Sequence, residues 1–331
     1  MAHDRRLKRD RPVRPAHRLA FPFFADATIF EQDWWLSAAS NGTVHYVKTT
    51  WDSRLVGQMP FYLKRRWGLT SIISPPYTRT ISPRFDLPPS KEGRRRINQV
   101  RVLEDLLGQL PRHDRFEMTL PPDLDLVYPF VRLGYTAATN YTFRVEAGND
   151  SDAILAGMDQ KVRNMIRKGL GQFRPQLHGD IDRFMRLAED KSGGKTDRHD
   201  FEALRRIWSE CNVRQQGQIL TLAGANDEDV ASTILVWDAR ALYFWVTTRN
   251  PLIAGNSATC LMIWEALKLA LGMGLAFDVD SYGSAASAEF VSRFGFTPEI
   301  RPVINQGGAV WKLLFLLRNT FSSREDLYYR C

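Results

Sequence analysis

Cysteine is scarce in this chain. Its 331 residues hold three, Cys211, Cys260 and Cys331, widely spaced and odd in number. That argues against a disulfide framework and against a cysteine-rich zinc cluster. The six histidines (His3, His17, His45, His113, His178 and His199) show no metal-ligand spacing, so no metal is expected. Long apolar runs are lacking too. The longest, such as Ile234–Trp237 and Leu313–Leu317, fall far short of the roughly 20 residues that a membrane-spanning helix needs. No signal peptide is visible: the N-terminus is basic, but Phe21–Phe24 is short, broken by Pro22 and closed by Asp26. The expected compartment is therefore the cytoplasm. No short-period repeat appears.

What is present is the material for a core. Hydrophobic residues make up 44% and aromatics 11%, values that rule out wholesale disorder. The charge is unevenly placed. Residues 1–18 carry Arg5, Arg6, Lys8, Arg9, Arg11, Arg14 and Arg18 against Asp4 and Asp10, so this tail holds +5 of the chain's net +8. Such a tail could touch nucleic acid or an anionic membrane surface, but it reads first as a solvated, disordered leader. Arg94, Arg95 and Arg96 open a helical pattern and read as its solvated face.

The pattern along the chain alternates α and β. Phe30–Ala39 reads as a helix stopped by Asn41-Gly42. His45–Trp51 and Leu55–Leu63 read as a hairpin around Asp52–Arg54. Ser74–Pro83 (SPPYTRTISP) is too rich in proline for a helix or a central strand and reads as a loop. A helix over Ile97–Leu110, a strand at Phe116–Leu120, a short helix over Leu124–Leu133 and a strand at Thr139–Val145 follow. The polar stretch Glu146–Asp152 (EAGNDSD) marks a boundary, giving units of residues 20–147 and 148–320 between tails of residues 1–19 and 321–331.

The second unit begins with a cationic helix, MDQKVRNMIRKG, expected to end at Gly169. Phe201–Arg214 is a helix with an apolar stripe that takes in Cys211. Ile219–Ala223, Thr233–Trp237 and Leu242–Thr247 read as strands. A small-residue loop leads to Ser257, read as the cap of a helix running to about Leu271, which Gly272 and Gly274 end. Leu275–Ser281 is a strand, Ala285–Phe294 a helix, and Phe315–Leu317 lies in a final strand. Strand, short loop, long helix, strand is an arrangement that aims unpaired helix amides at the mouth of the preceding strand, a setting suited to an anion such as a pyrophosphate. Here that place falls at Gly255, Asn256, Ser257, Ala258 and Thr259, with Thr247 on the strand before it.

The run Leu242–Tyr282, followed by FVSRFGFTPE (Phe290–Glu299), resembles the C-terminal half of FemAB-like members of the GNAT acyltransferase superfamily. Trp264, Glu265, Ala266 and Leu267 match the helix core of that pattern. Gly274, Phe277, Asp278, Val279 and Asp280 match its G-x-x-x-F-D-F-E strand, with Asp280 where the family has Glu. Phe290, Phe294 and Gly295 match its last segment, and Arg163, Asn164, Ile166 and Arg167 match its R-x-x-I-R element. Trp34-Trp35, Val56-Gly57 with Pro60, and Pro75-Pro76 are compatible with its N-terminal half. Two departures stand out: Gly255 alone represents the Q/R-x-x-G-x-G/A loop of classical GNAT enzymes, and Val291 stands where the peptidoglycan-type Fem transferases carry a lysine.

The resemblance implies two tandem GNAT-like domains, each a mixed, mostly antiparallel sheet flanked by helices. It implies an N-acyltransferase using acyl-CoA, acetyl-CoA or a longer thioester, on the amine of a small-molecule acceptor, an amino sugar or amino-acid-like compound of cell-envelope polysaccharide synthesis. The expected chemistry is direct attack of the amine on the thioester carbonyl, with a backbone amide of Tyr243–Thr247 as oxyanion donor. Asp280 or Asp278 accepts the proton or holds the amine, and Tyr282 reprotonates the thiolate. Structural roles compete: Asp278 pairing with a helix, Asp280 capping the next one. Arg163 and Arg167 either grip a phosphate or carboxylate of the acceptor or form a solvated helix face. Tyr243 and Trp245 are expected to divide between core and cleft. Trp34 and Trp35 read as core, His178 as surface, and Cys211 and Cys260 as small hydrophobes. Two rival functions remain: an aminoacyl-tRNA-dependent transferase of the Fem type, and a non-catalytic nucleic-acid-binding or scaffold protein.

Overall fold

The turn between the first two strands shows how local chemistry sets this fold. In β1 (His45–Trp51) and β2 (Arg54–Arg66) the register runs from His45 opposite Phe61 to Trp51 opposite Arg54. That leaves Asp52 and Ser53 as the two turn residues, both at positive φ (47° and 65°), the hand that matches the twist of a hairpin. Asn41 likewise stops helix α1 (Asp33–Ser40) in the left-handed region, at φ 52°. The computed structural model describes residues 27–66, 68–192, 200–250, 252–280 and 285–308. The basic tail, Tyr282, Cys331 and the strand expected at Phe315–Leu317 lie outside them.

After β2 come β3 (Leu69–Ile73), β4 (Arg84–Phe85), α2 (Glu92–Gly108), β5 (Arg115–Thr119), α3 (Val127–Arg132) and β6 (Thr136–Val145). Then follow α4 (Ser151–Gly157), α5 (Gln160–Gln172), β7 (Arg174–His178), α6 (Ile181–Ser192), α7 (Phe201–Val213), β8 (Gly217–Ala223), β9 (Asp229–Trp237) and β10 (Ala241–Arg249). The last are α8 (Asn256–Gly272), β11 (Ala276–Asp278), α9 (Ala285–Ser292) and β12 (Thr297–Gly307). The strands form one sheet in the order β1-β2-β3-β5-β12-β6-β11-β10-β9-β8-β7, with β4 on β2. Among the described residues only β3–β5 and β10–β11 pair in parallel, so the sheet is mixed and mostly antiparallel, as expected. Strand β12, not expected from the sequence and unusual among central strands for its Pro298 and Pro302, lies between β5 and β6. It sets Ile304 opposite both Met118 and Ala137. The sheet thus runs unbroken across the polar stretch at residues 146–152.

Helices cover both faces of the second half. On one side α5 and α8 pack on Leu242, Phe244, Phe277 and Val279. On the other, α1, α6 and α7 pack on Tyr243, Trp245 and Val246. A third cluster, with Val102, Leu103 and Leu106 of α2 and Phe130 of α3, covers the first half.

Two helix limits differ from expectation. Gly255, not Ser257, is the N-cap of α8. Helix α5 does not stop at Gly169 but runs on to Gln172. Gly169 is there for contact: a Cβ on it would lie 2.8 Å from the Ser257 carbonyl oxygen and 3.0 Å from Leu261 Cβ. The missing side chain lets α5 lie directly on the first turn of α8. In an open helix Gly→Ala gains about 1 kcal/mol. Here Gly169→Ala is expected to destabilise by roughly 1–3 kcal/mol, the usual cost of overpacking, read as a lowered midpoint in urea unfolding.

Candidate active site

Strands β10 and β11 pair for only three residues: Ala241 with Ala276, Leu242 with Phe277, and Tyr243 with Asp278. There β11 ends, while β10 continues to Arg249 with an irregularity between Phe244 and Val246. The two strands therefore open as a fork whose inner edge includes the carbonyls of Phe244 and Trp245.

The guanidinium of Arg79, from the proline-rich segment Ser74–Pro83, fills that fork. Its Nη2 donates to the Phe244 carbonyl (2.5 Å) and the Trp245 carbonyl (3.1 Å). Its Nε lies 2.9 Å from Asp280 Oδ2, and its Nη1 3.8 Å from Asp278 Oδ1. The Phe30 ring lies 5.6 Å from its centre. Asp278 is buried and also accepts from the Thr142 hydroxyl (2.5 Å) and the Asp280 amide (2.9 Å). Asp280 stands at φ 76°, a left-handed conformation that costs a non-glycine residue free energy. Its other carboxylate oxygen accepts from Arg301 Nη2. Arg144 interacts with Asp278, and with Glu299 at 3.3 Å. A narrow cavity of about 20 Å³, room for about one water, is lined by Arg79, Arg144, Arg240, Arg301, Tyr243 and Asp278 among others.

The two carboxylates thus share one side, as the Asp-Val-Asp spacing implies, with Val279 in the core between them. Arg79, Arg144, Arg301 and Thr142 were not foreseen. Arg79 left one trace, a cation alone in a proline-rich segment; the others lie on strands whose neighbours only the sheet order reveals. The backbone-amide oxyanion donor expected on β10 meets a different environment: at Phe244 and Trp245 the strand offers carbonyls to the fork, and an arginine occupies them.

The other candidates fall in several places. Thr247, Gly255 and Asn256 are exposed, Ser257 and Ala258 are buried, and Thr259 is half-buried. The first turn of α8 is therefore open at Gly255–Asn256 and covered by α5 one residue later. Arg249, also unforeseen, reaches Thr259 Oγ1 at 3.4 Å. Arg163 donates to the carbonyls of Ala156 (2.6 Å) and Met158 (2.7 Å), which commits it to the α4–α5 junction. Arg167 is exposed and bonds Asn164 (3.0 Å).

Tyr243 and Trp245 do not divide between core and cleft. Residues two apart share a face of a strand, and both pack into one cluster with Trp35. The Tyr243 hydroxyl donates to Asp238 (2.9 Å), and burial, then the Asp238 charge, push its pKa well above the ordinary phenol value. Trp245 Nε1 donates to the Tyr77 carbonyl (3.1 Å). His178 lies on β7, half-buried, its Nε2 2.8 Å from Thr221 Oγ1. Burial, and then Arg183, lower its pKa. Among the described residues no cluster of metal-ligating side chains occurs.

Residues 137–286 match the Acetyltransferase (GNAT) domain family. The chain carries a GNAT acyltransferase domain. The solved structure of FemX shares the fold with a TM-score of 0.59 at 10% identity, over 87% of this chain and 94% of FemX. The C-terminal domain of a putative lysylphosphatidylglycerol synthetase from Agrobacterium fabrum scores 0.54 at 12% identity, over 85% and 90%. A tandem GNAT protein from the clavulanic acid biosynthesis pathway scores 0.51 at 9% identity, over 80% and 83%. No curated protein sequence matches the chain. The GNAT domain begins in β6 and takes in the fork, α8 and both carboxylates. The family match supports an acyltransferase domain over residues 137–286, and the likeness to FemX and to the tandem GNAT protein is one of fold.

Two outcomes follow for the GNAT site. Asp278→Asn removes one charge of a buried cluster and is expected to cost about 3 kcal/mol of stability, read as a lowered thermal midpoint. The thiols of Cys211 and Cys260, each pushed up to about 12 by burial, stay protonated at neutral pH. Mass-spectrometric mapping after iodoacetamide is expected to find both unmodified in native protein at pH 8, and both modified in urea.

Proposed function

We propose that this protein moves an acyl group from an acyl-CoA thioester, acetyl-CoA or a longer one, to the amine of an amino sugar or amino-acid-like acceptor, in the making of cell-envelope polysaccharide in the cytoplasm. The observation that carries the reading is the opening beside α8: β10 and β11 part after three paired residues, and the exposed Gly255 and Asn256 start the helix that follows. Helix-terminal amides there, with Arg249 at Thr259, suit the donor's phosphates.

The acceptor nitrogen attacks the thioester carbonyl. The C–N bond forms, the C–S bond breaks, and the proton leaves the nitrogen. Asp278 is buried, and its Oδ1 is taken by Thr142, the Asp280 amide and, at 3.8 Å, Arg79, so it serves the architecture of the site. Asp280, whose side chain is 27% exposed, is the carboxylate that meets the acceptor amine. Tyr282 donates a proton to the leaving thiolate. Arg163 does not serve the acceptor, because its donors are taken by the α4–α5 junction. Arg167, exposed on α5 and bonded to Asn164, meets a phosphate or carboxylate of the acceptor.

A second reading, with aminoacyl-tRNA as donor, is favoured by one feature. Lys161, Arg167 and Lys168 are exposed on α5, and no described carboxylate forms a salt bridge with any of them. Such a face binds a polyanion in a salt-dependent manner.

Calorimetry decides between donors. Acetyl-CoA or a longer acyl-CoA is expected to bind, and Arg249→Ala to weaken it about tenfold, the worth of one charge-assisted hydrogen bond. Failure of every acyl-CoA to bind, with salt-sensitive retention of aminoacyl-tRNA on filters at two ionic strengths, would install the second reading.

A further inference from the structure

The transfer chemistry draws on the open turn of α8, the fork and two carboxylates, all within the GNAT domain. The group that occupies the fork comes from outside that domain. Arg79 belongs to the loop after β3, and its side chain is only 8% exposed. We propose that Arg79 is a positioning residue of the transfer site, reaching from the N-terminal half into the fork between β10 and β11 to hold the Asp280 carboxylate at its mouth.

The loop that presents Arg79 is itself held on both sides. Trp35 Nε1 donates to Thr78 Oγ1 (3.3 Å), Thr28 and Thr80 join their hydroxyls (2.9 Å), and the Ile81 amide donates to the Thr119 carbonyl (2.9 Å). The Tyr77 carbonyl takes the Trp245 indole, tying the loop to β10. With residues 78 and 80 anchored, residue 79 projects in a fixed direction. The carbonyls of Phe244 and Trp245 take up one end of its guanidinium, and Nε is left for Asp280.

Asp280 needs such a hold. It is the last described residue before 281–284, beyond the end of β11, and its positive φ is unfavourable for a free chain. Arg79 holds one of its oxygens and Arg301 of β12 the other. Among the described residues, the charged groups facing it include these two arginines and Asp278, with Arg144 beside Asp278. The carboxylate is more exposed than either arginine that grips it: 27% against 8% for Arg79 and 5% for Arg301. An incoming amine therefore meets the carboxylate first, with the cations behind it. The inference rests on the acyltransferase reading for what Asp280 does, and on geometry alone for what holds it.

The test uses Arg79→Ala and Arg79→Lys in the full chain, with two measurements. The first is the carbon-13 titration of the Asp280 carboxylate, assigned with Asp280→Asn. A nearby cation favours the ionised form, so the midpoint is expected to rise in Arg79→Ala and to return towards wild type in Arg79→Lys. The second is thiol release from acetyl-CoA with glucosamine as the amine, per mole of folded protein and across pH. Arg79→Ala is expected to lose about tenfold or more in kcat/KM, the scale of a misplaced catalytic group, with its acid limb moved to higher pH. Arg79→Lys recovers part of the rate.

An Asp280 midpoint unmoved by Arg79→Ala overturns the proposal. So does a rate loss that leaves the acid limb in place and that lysine does not relieve, the mark of a merely structural arginine. Should the alanine protein not fold, Arg79→Gln decides: a raised Asp280 midpoint with the acid limb of kcat/KM moved to higher pH supports it, and an unmoved midpoint overturns it. If wild type consumes no acetyl-CoA, the thioester reading falls, while the carboxylate titration still decides whether Arg79 holds Asp280.

Discussion

A guanidinium buried at the centre of the sheet is a costly group to desolvate, and the surroundings of Arg79 show how that cost is met. Two carboxylates and two backbone carbonyls converge on one side chain. A buried cation persists only with such compensation. The consequence reaches past the pair itself. Phe244 and Trp245 belong to β10, Asp278 and Asp280 to β11 and the turn after it, and Arg79 to the first half of the chain. One side chain therefore sets the width of the fork and the approach of the N-terminal loop. It also sets the place of Asp280, a carboxylate partly open to solvent.

Strand β12 serves the same end from another direction. By lying between β5 and β6 it makes the sheet continuous, and it carries Arg301 to Asp280. Its register against β6 also puts Glu299 beside Arg144. The charged cluster is thus built from the loop after β3, from β6, from β11 and its following turn, and from β12, four pieces far apart in the chain. Charges of both signs alternate through it, so the site has the character of an ordered polar network, in which loss of one member leaves others buried and unpaired. Helix α5 performs a comparable task at the donor end: Gly169 lets it lie on the first turn of α8, covering Ser257 and Ala258 and leaving Gly255 and Asn256 open.

Much of this was legible before any coordinates. The apolar spacing of α7 and α8, the turn residues Asp52-Ser53 and Asn41, and the Asp-Val-Asp pattern are local signals. They act over two to four residues, which is the range that propensity and periodicity report. The GNAT resemblance rested on residues 160–299 and agrees with the family match over 137–286. Local rules failed where a distant contact overrode them. Gly169 looked like a stop and is a point of close approach. Strand β12, with Pro298 and Pro302 in it, was not expected, and the sheet nevertheless includes it. The division of Tyr243 from Trp245 ignored that residues two apart share a face.

The sequence by itself determined the elements, the alternation of α and β, and the carboxylates on one strand edge, because each is written in neighbouring residues. Only the tertiary structure decided what those carboxylates meet. Arg79 and Asp280 are separated by two hundred positions in the chain, and nothing local to either announces the other. Their contact follows from sheet order and from the anchoring of a loop, which are properties of the folded chain as a whole.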